Sequence, residues 1–408
     1  MPFELTPAEE MARKIVREYC EKYIIPRRKE LMTNDQEMWD EEARRQTRAG
    51  LHLHIIPKEE GGTGIGYVAS CITIEELCAA WPDISLAIYG EFAYYFAKAT
   101  GGVVYEKFMP GILKGDILAT PAVTEPSGGS DMLGLQSTAK KVDGGWVING
   151  RKVFQSEGHY ADFIMALVKT GDPNDPKTPG TRSLSAFIIE KGFDGFKIGR
   201  LENTLGRKGD LTEFVFDNVF VPDSHVVGGE AGIGRGIPPV FSAVADIGRL
   251  TICGMLNGIS AGAYRTAMMY AKERHLYGRP ISDLQMIQRR LSKMFTDLEA
   301  ARIMVYRTAW LRTKGIRCDA EMSAAKNFAE QAAIRIAEHC VKIHGAYGTL
   351  EDYMPHHYYK HVPLRFSAGG TEESLDIMIA NAIIKNEANP DLSRAASETT
   401  GWWGRLEW

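Results

Sequence analysis

Glu91 lies within Ala87-Ile88-Tyr89-Gly90-Glu91-Phe92-Ala93, a carboxylate inside an otherwise apolar run. Burying such a group is costly unless it has a partner or a task, so Glu91 is a candidate either for moving a proton or for an internal ion pair, for example with Arg249. Gly90 beside it would let substrate or backbone come close. Asp83 is a second carboxylate, although Pro82-Asp83-Ile84-Ser85 reads more simply as a helix N-cap. Arg274 carries the planar guanidinium fork that matches a pyrophosphate; a lone Arg near a helix end is more often a solvated charge. Phe154 followed two residues on by Ser156 is, taken alone, a pairing commonplace in strands. The six cysteines (Cys20, Cys71, Cys78, Cys253, Cys318 and Cys340) form no CxxC pair and have no His at zinc-ligand spacing, so neither a disulfide framework nor a metal site is indicated.

The elements that must position these groups follow from periodicity. Met11, Ile15, Tyr19 and Ile24 recur at helical spacing until Pro26, which is expected to stop the run, and Ile72–Trp81 and Ile84–Ala99 form two further helical stretches. From Leu118 to about Phe220 the pattern changes to short β-rich runs (146–148, 163–168, 185–189 and 213–216) separated by Gly, Asp and Pro turns. Beyond Pro238-Pro239, helices are expected over Val240–Glu273, Asp283–Lys314, Asp319–Ile343 and Glu372–Asn386. The resulting fold class is α+β, with an N-terminal helical domain (1–118), a middle antiparallel β-barrel or sandwich domain (119–228) and a C-terminal four-helix-bundle domain (229–408).

The 408 residues carry a formal charge of −4 without long basic runs, which gives no electrostatic reason to expect nucleic acid. The N-terminus lacks a basic n-region and an apolar h-region, and no run of about 18 apolar residues is evident, so a soluble cytoplasmic protein without membrane insertion is expected. The aromatic tail Trp402-Trp403-Gly404-Arg405-Leu406-Glu407-Trp408 reads slightly better as a segment docked on a neighbour than as a loose end.

Four motifs in one order and spacing resemble those of the FAD-dependent acyl-CoA dehydrogenases. Ala122-Val123-Thr124-Glu125-Pro126-Ser127-Gly128-Gly129-Ser130-Asp131 is similar to the TEPxxGSD signature, and Asn149-Gly150-Arg151-Lys152-Val153-Phe154 to NGxKxW. Glu273-Arg274-His275-Leu276-Tyr277-Gly278-Arg279-Pro280-Ile281 with Gln285 and Gln288 resembles ERxxFGxPIxxxQxxQ, and His344-Gly345-Ala346-Tyr347-Gly348 the later GGxG turn. The resemblance implies removal of a proton next to a thioester carbonyl while FAD takes a hydride from the following carbon. It implies FAD contacts at Val123, Thr124, Phe154, Ser156, Arg274, Tyr277, Gln285, Lys342, Gly345 and Thr371, with Lys342 replacing a usual Gln. Acyl-CoA contacts fall at Ser130, Asp246 and Arg249. An electron-transferring flavoprotein as oxidant and a homotetramer built as a dimer of dimers are also implied.

In the family the catalytic carboxylate precedes either the Gly-Thr of a late motif or the Arg of the pocket helix. Here those places hold Gly369, in Ala368-Gly369-Gly370-Thr371, and Gly248. A general base contributes roughly 10²- to 10⁴-fold, so a replacement or a different first step is required. Glu91 is the favoured replacement, with Asp83 and then His361 behind it. The space freed by Ala368 and Gly369 suits a bulky or cyclic acyl group and resembles the alicyclic (cyclohexane- or cyclohexene-carboxyl-CoA) branch. Two alternatives stay open: loss of a carboxylate or sulfinate from an acidic acyl chain bound by Arg249, which needs no base, and a non-catalytic subunit that binds flavin or acyl-CoA.

Overall fold

The computed structural model describes residues 4–32 and 36–385; the aromatic tail and the end of the helix expected at 372–386 lie outside the described residues. The helices are α1 (Pro7–Tyr19), α2 (Arg28–Leu31), α3 (Gln36–Arg48), α4 (Tyr67–Ala80), α5 (Ile88–Thr100) and α6 (Gly102–Lys114). Strands β1 (Ala119–Ala122), β2 (Thr138–Val142), β3 (Gly145–Ser156), β4 (Phe163–Lys169), β5 (Leu184–Glu190), β6 (Phe196–Glu202) and β7 (Leu211–Pro222) follow. The chain then forms α7 (Ile237–Ser242), α8 (Leu250–Glu273), a small hairpin of β8 (His275–Leu276) and β9 (Arg279–Pro280), α9 (Gln285–Thr313), α10 (Asp319–His344), α11 (Met354–His361) and α12 (Glu372–Ile384). The order is therefore an N-terminal helical region, a middle β-sheet domain and a C-terminal helical domain.

Two compact units are assembled from non-contiguous stretches. One comprises Met1–Lys29, Ile65–Ser85 and Gly248–Trp408, the other Glu30–Gly64 and Leu86–Ile247. In the first, helical unit, α4 packs on α8 and α9, α8 on α9 and α10, and α1 on α4. Both α4 and the first half of α8 are buried on all sides, which explains their lack of an amphipathic stripe. Gly258 lets α8 approach α4 closely, since a Cβ there would lie 2.5 Å from the Glu75 carbonyl oxygen. The buried carboxylates of α4 are satisfied: Glu75 accepts from Arg302 Nη2 at 2.6 Å and Tyr306 Oη at 2.8 Å, and Glu76 from Arg17 at 2.6 Å.

Pro26 does not end the first helical run. After α1 the chain passes through a π turn (Cys20–Ile24) and a 3₁₀ turn (Ile25–Arg27) in which Pro26 sits near the start, where its missing N–H costs little, and continues into α2. The helical run Ile237–Glu273 is long and apolar enough to span a bilayer by length and composition, unlike the expectation that no such run exists; most of it is buried within the fold.

The second unit holds the sheet, ordered β1-β4-β2-β3-β7-β6 with β5 on β4. It is mostly antiparallel, but β4 runs parallel to β1 and, through Thr138 and Lys169, to β2. Its core is formed by Ile148, Ile164, Ala166, Phe187, Ile189, Phe214, Phe216 and Val219, contributed by alternating positions of β3, β4, β5 and β7.

Candidate active site

In the sheet unit, the loop after β1 is pinned from behind. Lys152, fully buried on β3, donates to the Val123 carbonyl at 3.0 Å and to Glu125 Oε1 at 2.7 Å, and also bonds the Leu167 carbonyl. Glu125 in turn accepts from the backbone N–H groups of Gln136 and Ser137. Burial pushes the Lys152 ammonium down to about 8 against the pull of the Glu125 charge. Burial also acts upward on Glu125, but the Lys152 charge and the donors around its carboxylate outweigh it and hold Glu125 below the ordinary range. Both groups are charged at pH 7, and the pair fixes the Val123–Glu125 backbone. The Thr124 carbonyl is held as well, accepting from Val153 N at 2.9 Å. Lys152 was legible only as part of the Asn-Gly-x-Lys motif; a lysine at an inward position of a strand was the signal for its role.

Immediately after Lys152 the ladder slips. Lys152 pairs with Phe214 but Gln155 pairs with Thr212, so β3 carries one extra residue in a bulge. Phe154 occupies it with φ +62°, a conformation that costs a non-glycine residue about 1–2 kcal/mol. The strain turns a large ring outward: Phe154 is 57% exposed. A strained, outward aromatic next to a rigid backbone edge at Val123 and Thr124 fits a flat cofactor ring, and on this observation the residues present fit FAD. Ser156 closes β3, its carbonyl held by the Thr120 hydroxyl at 3.0 Å. Ser130 is exposed just before Asp131, which caps the 3₁₀ turn Met132–Gly134.

Glu91 is 3% exposed in the first turn of α5. Gly90 serves a different purpose from the one its place suggested: a Cβ there would lie 2.7 Å from the His52 ring, so the missing side chain makes room for His52. His52 bonds the Ile112 carbonyl at 2.8 Å, and burial pushes its pKa down to about 4. Asp246 is buried in the π turn Ala243–Arg249, a helical irregularity of the kind often found at functional sites.

In the helical unit, two buried cations hold the segment 366–370. Arg249, 2% exposed, donates through Nε to the Gly369 carbonyl at 2.9 Å and through Nη1 to Ser323 at 3.4 Å. Lys326 donates to the carbonyls of Phe366 and Gly370, each at 3.1 Å, and pairs with Glu330. Arg249, the candidate cation for an acidic acyl chain, thus directs two of its nitrogens to protein groups. Gly369 and Gly370 have φ of +69° and +110°. Thr371, next in line, caps α12, its hydroxyl accepting from Ser374 N.

Asp83 is not an N-cap: α5 begins at Ile88, and Asp83 sits at φ +75° in an ion pair with the buried Arg365. His361 is buried and bonds the His357 carbonyl at 2.6 Å. Arg274, Tyr277 and Gln285 gather around the β8–β9 hairpin, whose turn residues Tyr277 and Gly278 both have positive φ. Tyr277 is 89% exposed there, and Arg274 and Gln285 are exposed as well. Lys342, near the end of α10, pairs with Glu338, and Gly345 caps that helix at φ +60°. All six cysteines are buried thiols.

Comparison with known proteins accounts for this arrangement. Residues 6–116, 120–219 and 234–384 match the models of the N-terminal, middle and C-terminal domains of acyl-CoA dehydrogenases. An acyl-CoA dehydrogenase of Bacillus subtilis is 34% identical over 86% of this chain and 90% of its own. Benzylmalonyl-CoA dehydrogenase of Aromatoleum aromaticum is 31% identical over 80% of this chain and 85% of its own. The structure of butyryl-CoA dehydrogenase from Megasphaera elsdenii matches with a TM-score of 0.86 at 26% identity, covering 94% of this chain and all of that one. The chain belongs to the acyl-CoA dehydrogenase family. It is an FAD-dependent oxidoreductase that acts on acyl-CoA.

Proposed function

We propose that the chain introduces a double bond into a bulky, branched or cyclic acyl-CoA, with Glu91 as the base that takes the proton next to the thioester carbonyl. FAD, when bound, accepts the hydride from the adjacent carbon. Val123, Thr124, Phe154 and Ser156 hold the flavin ring, Arg274, Tyr277, Gln285, Lys342, Gly345 and Thr371 the remainder of the cofactor, and Ser130, Asp246 and Arg249 the acyl-CoA.

The observation that carries this reading is the placement of carboxylates: Glu91 is buried on an apolar helix, whereas Gly369 and Gly248 bring none. A buried carboxylate in an otherwise apolar helical turn is a fitting candidate for a general base. The small side chains at 368–370 and the likeness to a dehydrogenase of benzylmalonyl-CoA both favour a bulky acyl group. The reduced flavin would pass its electrons to an electron-transferring flavoprotein in the cytoplasm. Exposed apolar side chains of the helical unit, among them Met269, Met286, Phe295, Ile377 and Ile384, suit burial against further copies in a homotetramer.

The test is anaerobic titration of the FAD-loaded protein with straight-chain, cyclic and dicarboxylic acyl-CoAs, following loss of the flavin absorbance. Bleaching by a cyclic thioester, slowed 10²-fold or more in Glu91→Gln with FAD still bound, is the expected result. Bleaching at an unchanged rate in Glu91→Gln would remove Glu91 from the reaction.

A further inference from the structure

Helix α3 carries two buried polar side chains, one turn apart, that the motifs do not single out. Glu42 is 1% exposed and Gln46 is fully buried. Glu42 is paired with Arg45 at 2.8 Å, and a carboxylate in an ion pair has only acceptors to offer. Gln46 therefore meets it with its amide nitrogen, donating through Nε2 to Glu42 Oε1 at 3.3 Å. That contact fixes which way the amide faces. Its oxygen accepts from the backbone N–H groups of Leu86 and Ala87, each at 3.0 Å.

These two N–H groups stand at the entrance to α5. Its N-cap residue is Ala87, whose methyl side chain cannot accept a hydrogen bond, and the first N–H groups of a helix find no partner within it. The carbonyls of the same two residues carry the first bonds of the helix: Leu86 accepts from Tyr89 N at 3.2 Å and Ala87 from Gly90 N at 3.0 Å. Glu91 follows one turn after Ala87. The loop after α3 adds a second hold, since the His52 ring lies against Gly90 and bonds the Ile112 carbonyl at 2.8 Å. All these residues belong to one compact unit.

We propose that Gln46 is a positioning residue for Glu91, supplying from α3 the cap that α5 lacks and so setting the rotation and depth of its first turn. The inference rests on the reading of Glu91 as the base. A general base must stand within hydrogen-bond reach of the proton it takes, and a misplacement of about 1 Å can cost on the order of 10²-fold in rate. Releasing the first turn of α5 therefore slows the proton step while leaving the cofactor contacts on β3 and the loop after β1 as they are.

The experiment uses the FAD-loaded full chain as wild type, Gln46→Met, Glu91→Gln, the Gln46→Met/Glu91→Gln double variant and the exchange Glu42→Gln/Gln46→Glu. Stopped-flow bleaching by butyryl-, isovaleryl- and cyclohexanecarboxyl-CoA gives the limiting rate and the half-saturating concentration, with FAD affinity and thermal unfolding measured alongside. Gln46→Met is expected to slow the limiting rate about ten- to a hundredfold while half-saturation and FAD affinity stay within about threefold. The double variant is expected to be no slower than Glu91→Gln, because without the carboxylate there is no base to position. The exchange is expected to recover the rate to within about threefold, since a carboxylate at 46 accepts from both N–H groups and from the amide at 42, and suits a helix N-terminus. If Gln46→Met does not fold, Gln46→Asn, which draws the amide back by one methylene, is read in the same way. Should no thioester bleach the wild type, or Glu91→Gln bleach as fast as it, the reading of Glu91 falls and the inference with it. If Glu91→Gln is slow and Gln46→Met is as fast as wild type, Glu91 stands and the role of Gln46 is overturned. Equal slowing by Gln46→Met with and without Glu91, or an exchange that recovers the melting temperature but not the rate, would mark a purely structural glutamine and also overturn the proposal.

Discussion

At the scale of single residues, the chain combines a charge that must stay buried with glycines that must stay glycine. Lys152 is fully buried and has three acceptors, one of them the Glu125 carboxylate. Lys152→Met removes the cation and leaves Glu125 buried beside neutral donors, the backbone N–H groups of Gln136 and Ser137 and the Ser127 hydroxyl, a change that typically costs about 3–5 kcal/mol. A lowered unfolding midpoint together with weaker FAD retention is the expected outcome, measured by thermal unfolding and by the flavin absorbance that co-purifies. Restoring a carboxylate at Gly369 meets a different obstacle. A side chain there must adopt φ +69°, and its Cβ would lie 2.9 Å from Ile252 Cδ1. Gly369→Glu is therefore expected to lose about 1–2 kcal/mol from the backbone alone, and to leave the Glu91→Gln variant unrescued in the bleaching assay. The motif residues around these positions could be read directly, since each has a distinctive type at a distinctive spacing. The strain at Phe154 could not, because a bulge depends on how β3 pairs with β7 and leaves no mark in the local pattern.

At the scale of elements, legibility follows apolar patterning. Helices α9 and α10 were expected within two residues of their observed ends, and β4 and β5 appeared as unbroken apolar runs because both their faces are buried. Strand β6 was missed: Phe-Lys-Ile-Gly-Arg-Leu-Glu lies at the sheet edge, mostly exposed, and shows neither alternation nor a continuous run. The stretch 84–99 was read as one helix, yet α5 starts only at Ile88, since Pro82 and the left-handed Asp83 redirect the chain first. The contact between α5 and His52 was invisible for another reason: the partners are far apart in sequence. It makes a prediction at this scale. Gly90→Ala places a methyl 2.7 Å from the His52 ring, so either the ring or α5 must move. Overpacking of this kind costs about 1–3 kcal/mol. Because Glu91 travels with the helix, the variant is expected to slow bleaching by acyl-CoA by about tenfold or more while binding FAD nearly as wild type, a split that stopped-flow reduction and a flavin titration would resolve.

At the scale of the whole molecule, buried histidines set the acid limit of stability. His52, His54, His159 and His357 are each pushed by burial from 6.5 to about 4. A histidine whose folded pKa lies below its unfolded one binds fewer protons in the native state between those values. Its contribution is therefore intact above pH 6.5 and declines as pH falls toward 4. For His52 alone the loss between pH 6.5 and pH 5 amounts to about 2 kcal/mol, and the three others act in the same direction. Glu125, held below the ordinary carboxylate range, adds a loss only at still lower pH, as protons reach its folded-state pKa. The urea midpoint is thus expected to be flat from pH 7 to 8 and to fall steeply between pH 6.5 and 5. The histidine origin is separable from carboxylate protonation by His52→Gln, which keeps a donor for the Ile112 carbonyl but cannot charge. That variant starts lower at pH 7.5 and shows a shallower decline toward pH 5. A decline as steep as that of the wild type would assign the acid sensitivity to other groups.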